Sequence, residues 1–311
     1  MNLSAWIIAS ITAAIFLAML GVCIYFFRFA HRRKDAMTDQ LLASDVRKAY
    51  ADMVANGMAY IAAHKSEEIT IISHDGLNLH GLYIPAENAR GCILCFHGYR
   101  SVGLQDFAPM PEFYHSLGLN VLIVDQRACG KSKGQYTTFG ILERYDVLSW
   151  ADYMSGRLNG MPLILDGISM GASTVMLSAG LLLPKSVRGI IADCGFTSPW
   201  EIIAHCGRQW FHIPAFPLVH ILSLFARILF GGGYRSCSTL TALQESTIPL
   251  LLLHGAEDDF VPAHMSEQHY NAAAGYKRKL IVPGAGHGMS YLVDQKRCQQ
   301  ELSDFVNYVL Q

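Results

Sequence analysis

Gly167-Ile168-Ser169-Met170-Gly171 decides how the rest of the chain is read. It joins an apolar run over residues 162–168, which reads as a buried strand, to a stretch starting Ala172-Ser173-Thr174, which reads as a helix packed through small residues. A serine on so tight a strand-to-helix turn needs a glycine on either side, because the backbone is strained and a flanking Cβ would crowd the turn. Such a turn lifts the hydroxyl clear of the sheet. It also aims the backbone N–H of Met170, with the positive end of the following helix behind it, at the place where an oxyanion would form. Five residues are a weak signal alone, and the motif gains weight only if its partners occur where the turn demands them.

With 311 residues, a single core can bury about three quarters of the unfolded surface, which is ample for an enzyme. The formal net charge of −1 leaves no basic excess, so a nucleic-acid partner is not expected. The eight cysteines (23, 92, 95, 129, 194, 206, 237 and 298) are scattered and imply no disulfide framework. Cys92 and Cys95 look like half a redox or zinc motif, but on an apolar strand their side chains point to opposite faces. Unpaired thiols of this kind suit a reducing compartment.

No charged side chain occurs from Met1 to Phe27, and about 20 such residues cross a bilayer as a helix. Residues 3–27 therefore predict a transmembrane anchor. A cleaved signal peptide would carry its basic residues before a shorter apolar run, whereas Arg28, His31, Arg32, Arg33 and Lys34 come after this one. Basic residues stay on the cytoplasmic side, so the expectation is a single-pass protein of the cell membrane with its large domain in the cytoplasm. Over residues 36–64, Met37, Leu41, Val46, Tyr50, Met53 or Val54, and Ile61 recur at helical intervals. They predict one or two amphipathic helices packed on the domain as a connector. The expected organisation is an anchor and basic flank at 1–30, a connector at 31–66, and one domain at 67–311.

From Glu67 the pattern turns to strands. Residues 69–73 and 77–84, separated by Asp75-Gly76, predict an antiparallel hairpin. Further strands are expected at 91–96, 119–125, 162–168, 187–193, 248–253 and 278–282, and helices near 104–117, 141–157, 170–182, 264–274 and 295–310. This alternation predicts an α/β fold with a mostly parallel, doubly wound sheet built from right-handed crossovers. Residues 195–247 interrupt it with Trp200, Trp210, Phe211, Phe216, Phe225 and a run of three glycines. So aromatic an insertion is expected to fold as a helical cap.

A serine hydroxyl needs a neutral imidazole to take its proton and a carboxylate to fix that imidazole's tautomer. In a doubly wound sheet both belong at the C-terminal ends of later strands. Asp258 and Asp259 follow the strand that ends near Leu253, His287 follows the last strand, and Asp193 closes the sixth. The chain order Ser, Asp, His is the one used by enzymes with this type of turn. The second oxyanion donor is expected from the loop after the third strand, at the backbone N–H of Tyr99. No His, Asp or Glu pair shows metal-ligand spacing, so neither a metal nor a cofactor is expected.

Together, His97-Gly98, the Asp125–Ser132 segment, the Ser169 turn, His254-Gly255-x-x-Asp258 and Gly286-His287 carry a resemblance. From about Glu67 to Leu310 the chain resembles the α/β-hydrolase superfamily, nearest to membrane-anchored bacterial serine hydrolases close to the prolyl-oligopeptidase and dienelactone-hydrolase branch. The resemblance implies Ser169 as nucleophile, His287 as base and Asp258 as acid, since the family leaves two residues between His-Gly and the acid; Asp259 and Asp193 are the rivals. His97 and His254 are then structural, and Asp125 shapes its own loop. The implied activity is hydrolysis of an ester or thioester of a small or acyl-chain substrate through an acyl-enzyme. A peptidase and a non-catalytic membrane-bound module are the alternatives. One departure is Ala128, where members commonly carry Gly or His.

Overall fold

The computed structural model describes residues 3–34 and 45–311. Met37 and Leu41, expected on the connector helix, lie outside these residues. The strands are β1 (Glu67–Ile72), β2 (Asn78–Ile84), β3 (Gly91–Phe96), β4 (Leu119–Asp125), β5 (Leu163–Ile168), β6 (Val187–Asp193), β7 (Leu250–Gly255) and β8 (Lys277–Val282). The helices are α1 (Leu3–His31), α2 (Asp45–Ala63), α3 (Gly103–Phe107), α4 (Pro111–Ser116), α5 (Glu143–Arg157) and α6 (Met170–Ser178). They continue with α7 (Pro199–Phe211), α8 (Leu218–Phe230), α9 (Thr239–Glu245), α10 (His264–Ala272), α11 (Ser290–Val293) and α12 (Gln295–Val309).

The eight strands form one sheet in the order β1-β2-β4-β3-β5-β6-β7-β8. β2 runs antiparallel to both its neighbours, and the pairs from β4 onward are parallel. The central strands are almost wholly apolar because helices cover both faces, with Asn120 on β4 and Asp166 on β5 as the buried polar exceptions. Cys92, Leu94 and Phe96 join the core on one face, and Ile93 and Cys95 join the other. All eight cysteines are free.

Where boundaries differ from the sequence expectation, local chemistry gives the reason. The helix expected at 104–117 is broken into α3 and α4, with Pro111 opening the second; proline disfavours helix at the residue before it and suits a first turn. The helix expected to reach residue 182 stops at Ser178, ahead of Gly180 and Pro184. The loop of the β1–β2 hairpin is closed by Ser73 N–H to Leu77 O at 2.8 Å, with Gly76 at φ +86°. Asp75 on its tip forms an ion pair with buried Arg127, which also donates a bidentate pair of hydrogen bonds to Asp146 at 2.6 and 2.5 Å.

Ala128 holds a backbone of φ +60° while fully buried, the region glycine adopts without a Cβ penalty. Ala128→Gly is therefore expected to stabilise the fold by roughly 1 kcal/mol. A scanning thermal melt checks this, and an unchanged or lowered midpoint refutes it.

α1 is long and apolar enough to cross a membrane. Its first turns are exposed, but Cys23 and Phe27 pack into a core with Val219, Leu222, Ala226 and Phe230 of α8, and the His31 ring lies 5.2 Å from that of Phe230. His31 donates through Nδ1 to Thr137 O at 2.7 Å and accepts through Nε2 from the Tyr234 hydroxyl at 2.6 Å. Arg33 continues the attachment, its backbone N–H donating to Gln135 O and its guanidinium to the carbonyls of Ser132 and Gly130. The basic stretch at the end of this apolar helix is thus partly bound into the folded body. α2 lies across α3 and α4, with Tyr50 donating to Gln105 O and Ile61 buried.

Asp166, fully buried on β5, accepts a 2.5 Å hydrogen bond from the Tyr114 hydroxyl. Burial pushes its carboxyl up to about 7, and the Tyr114 bond offsets this only in part. A carboxyl with a raised folded pKa favours the fold when protonated, so its contribution is greatest below the unfolded pKa near 3.9 and falls as pH rises towards 7. Asp166→Asn removes that slope. Relative to the parent it should gain a few kcal/mol between pH 4 and pH 8, at about 1.4 kcal/mol per pKa unit. Chemical denaturation at the two pH values tests this, and parallel pH dependence of the two proteins would refute it.

Candidate active site

Ser169 stands between β5 and α6 at φ 55°, ψ −113°, a strained conformation for a residue with a side chain. The strain persists because the turn is held from both ends: Ser169 N–H donates to Asp193 O at 2.8 Å, and its carbonyl accepts from Ser173 N–H at 3.0 Å. A Cβ on Gly167 would lie 2.3 Å from the Gly171 carbonyl carbon. No side chain fits there.

The loops after β7 and β8 bring two residues to this serine. His287 Nε2 lies 2.8 Å from Ser169 Oγ, and His287 Nδ1 lies 2.7 Å from Asp258 Oδ2. Asp258 is buried, and its Oδ1 accepts from the backbone N–H groups of Phe260 and Val261 at 2.9 and 2.8 Å. Burial pushes this carboxyl up. Hydrogen bonds from His254 and His287, the charge at His287 and the Val261 N–H outweigh that, holding it well below the ordinary carboxylate range. An ionised Asp258 can only accept, so Nδ1 of His287 donates to it and Nε2 faces the serine hydroxyl.

The rival acids go elsewhere. Asp259 is exposed, and Asp193 accepts from Ser290 Oγ at 3.0 Å. His254 is fully buried, with Nδ1 at 2.6 Å from Ser266 Oγ and Nε2 at 2.8 Å from Val261 O, so it braces the loop that carries Asp258. His97 joins its neighbours similarly, accepting through Nε2 from Gln126 N–H at 3.0 Å. Asp125 accepts from the backbone N–H groups of Gly103 and Lys131, closing the loop after β4.

Met170 opens α6, and Tyr99 follows Gly98, where an added Cβ would come 3.5 Å from Ser169 Cβ. The loop bearing Tyr99 is pinned by Asp106, which accepts from Gly98 N–H at 2.8 Å and Ser101 Oγ at 2.5 Å. Asp106 was not singled out by sequence, because a carboxylate in a short helix carries no local signal of such a role. The side chain of Tyr99 donates to Ala30 O of α1 at 2.6 Å, and Arg100 donates to Phe29 O. Burial pushes the Tyr99 phenol up to about 12, so it stays a donor near neutral pH. The membrane-length helix is thereby fastened to the loop beside the serine.

One wall of the site is apolar. Phe139, Met170, Phe196, Ile202, Val261 and Met265 form a buried cluster that joins α6 to α7, and Tyr99 and Phe260 pack on it. The Phe260 ring lies 4.6 Å from that of His287, and Trp210 lies 4.9 Å from Phe260.

No family model matches the chain. The uncharacterized protein YqkD of Bacillus subtilis is 29% identical over 233 residues, which cover 75% of this chain and 76% of that protein. Lysophosphatidylserine lipase ABHD12 of Xenopus tropicalis is 25% identical over 211 residues, 61% of this chain and 50% of the lipase. Among solved structures, the Pyrococcus furiosus esterase Pf2001 superposes with a TM-score of 0.65 at 18% identity, covering 91% of this chain and 98% of the esterase. The chain thus has the α/β-hydrolase fold.

Proposed function

We propose that the chain is a membrane-tethered serine hydrolase that cleaves carboxylic esters or thioesters through an acyl-enzyme. The observation that carries this is the continuous hydrogen-bonded line from buried Ser169 through His287 to buried Asp258. In this reading Ser169 Oγ attacks the carbonyl carbon while His287 Nε2 takes its proton. Asp258 stabilises the imidazolium without being protonated, and the N–H groups of Tyr99 and Met170 hold the tetrahedral oxygen. His287 then returns the proton to the leaving group, and water repeats the sequence to release the acid. The line needs no cofactor and no metal.

The apolar wall beside Met170 and the Phe260–Trp210 pair favour an acyl chain over a charged peptide. The name of the lysophosphatidylserine lipase and the Pyrococcus esterase agree with an ester substrate. Residues 1–30 act as the anchor, 31–66 join it to the domain at 67–311, and 195–247 form a cap. α1 is read as retained rather than cleaved, because its removal would strip Phe27 from the core it shares with α8 and His31 from beside Phe230. The basic cluster at residues 28–34 puts the domain on the cytoplasmic side.

A fluorophosphonate probe tests the reading: the parent should label covalently and Ser169→Ala should not. p-Nitrophenyl esters of increasing acyl length should be cleaved faster than aminoacyl p-nitroanilides. The reverse order would make the protein a peptidase, and a folded protein that neither labels nor turns over an ester would make it a binding module.

A further inference from the structure

We infer that the exposed face of α8, together with the tip of α7, lies on the surface of an anionic lipid bilayer. This rests on reading α1 as a membrane span and adds a second contact to it.

The height of that face is set by α1. From Trp6 to Tyr25 the helix covers roughly 30 Å at about 1.5 Å per residue, which matches the hydrocarbon thickness. Trp6 and Tyr25, both exposed, mark its two ends as aromatic residues do at membrane interfaces. α7 and α8 meet α1 at the turn where this span ends. Phe211 lies edge-on to Phe26 at 5.0 Å, and Phe225 lies edge-on to Phe27 at 5.7 Å.

α8 buries Val219, Leu222, Ala226 and Phe230 on one side. On the opposite face it leaves Leu224 and Ile228 exposed, Ile228 by 70%, with Leu229 exposed at the edge of the buried side and Phe216 and Trp210 exposed nearby on the α7–α8 turn and α7. A helix apolar on both faces is not built for water, and a contiguous apolar patch marks a contact surface.

Charge selects the occupant. Over residues 3–34 and 199–236 the basic side chains are Arg28, Arg32, Arg33, Lys34, Arg208, Arg227 and Arg235, against the single acid Glu201. Arg227 and Arg235 line one surface pocket with Ser223 and the glycines at 231–233, beside the apolar residues. Apolar side chains flanked by arginines at bilayer height fit acyl chains and anionic headgroups. The contact would also put substrate near the site, since the α7 tip reaches His287 through Trp210 and Phe260.

Depth-resolved labelling of the full chain tests this. In a Cys206→Ser background, whose other cysteines are buried, Leu224→Cys and Ile228→Cys are labelled with an environment-sensitive dye. The proteins are reconstituted in phosphatidylcholine vesicles with a minor fraction of phosphatidylserine. Both labels should emit blue-shifted and be quenched by lipids spin-labelled near the headgroup. A label at Leu182→Cys, which is 96% exposed on the loop after α6, should remain aqueous. Ile15→Cys should be quenched by deeply labelled lipids. Arg227→Glu with Arg235→Glu should weaken quenching at 224 and 228, each arginine counting for roughly a fivefold change in surface partition.

If 224 and 228 behave like 182 while 15 stays deep, the docking is overturned and the span stands. If 15 is aqueous as well, both fall. Labels at 224 and 228 shielded from aqueous iodide yet untouched by lipid quenchers would put protein on this face and likewise overturn the docking.

Discussion

Ser169→Ala is expected to lower kcat/KM for a p-nitrophenyl ester by about 10⁴ to 10⁶ while leaving the fold intact. That range is about 5–8 kcal/mol of transition-state stabilisation, at 1.36 kcal/mol per decade. The substitution removes the bond-forming atom. What remains is the rate supplied by binding and by the oxyanion donors, typically 10³ to 10⁴ over water. Because Ser169 and His287 act as a unit through their 2.8 Å contact, adding His287→Ala should cost little more. Asp258→Asn should cost on the order of 10⁴, since an amide can present its N–H to Nδ1 and leave the proton on the wrong ring nitrogen. The Asp258 carboxyl is held well below the ordinary range. The contribution of the ionised Asp258 to stability is therefore complete above pH ~3.9 and lost only as pH falls through the depressed value. Ester turnover with a thermal midpoint for each variant checks this set. Ser169→Ala within tenfold of the parent would remove the acyl-enzyme mechanism.

What the sequence could convey about this molecule follows the range of the interactions concerned. The central strands were legible because a strand buried on both faces must be a short, mostly apolar run, and β3 to β7 are such runs despite Asn120, Asp166 and Arg188. Ser169, Asp258 and His287 could be placed at strand ends from chain order alone, and the structure brings their side chains into one hydrogen-bonded line. Among the three candidate acids, the two-residue spacing after His254-Gly255 pointed to Asp258, and its carboxylate is the one that meets His287 Nδ1. Contacts joining remote parts were not legible at all. His31 meets Tyr234 across 203 residues, and buried Arg127, inside the Asp125–Ser132 segment, joins exposed Asp75 to buried Asp146 in one ion-pair group. A linear reading of α1 gives a tether; only packing shows its last turns holding the Tyr99 loop.

Gly171→Ala is expected to be the most damaging single methyl in the chain. A Cβ built there would stand 1.8 Å from the Phe96 carbonyl oxygen and 2.5 Å from its carbon, with the His97 oxygen at 2.8 Å. All three are backbone atoms of β3 and the residue after it, in the centre of the sheet, so no side chain can rotate away. α6 would have to move off β3 by more than an ångström, against a core packed as densely as an organic crystal. A shift of about 1 Å in a reacting group costs on the order of 10² in rate, and overpacking against fixed backbone belongs with the losses of about 4–5 kcal/mol or more. The expected result is a protein recovered in low yield, with a midpoint lower by roughly 10 °C and activity reduced at least 10²-fold even in its folded fraction. Gly286→Ala supplies the control: it adjoins His287, yet nothing lies within 4 Å of its Cβ position, so it should fold and melt like the parent. If both variants behaved alike, the close approach of α6 to β3 would not set the geometry of the serine turn.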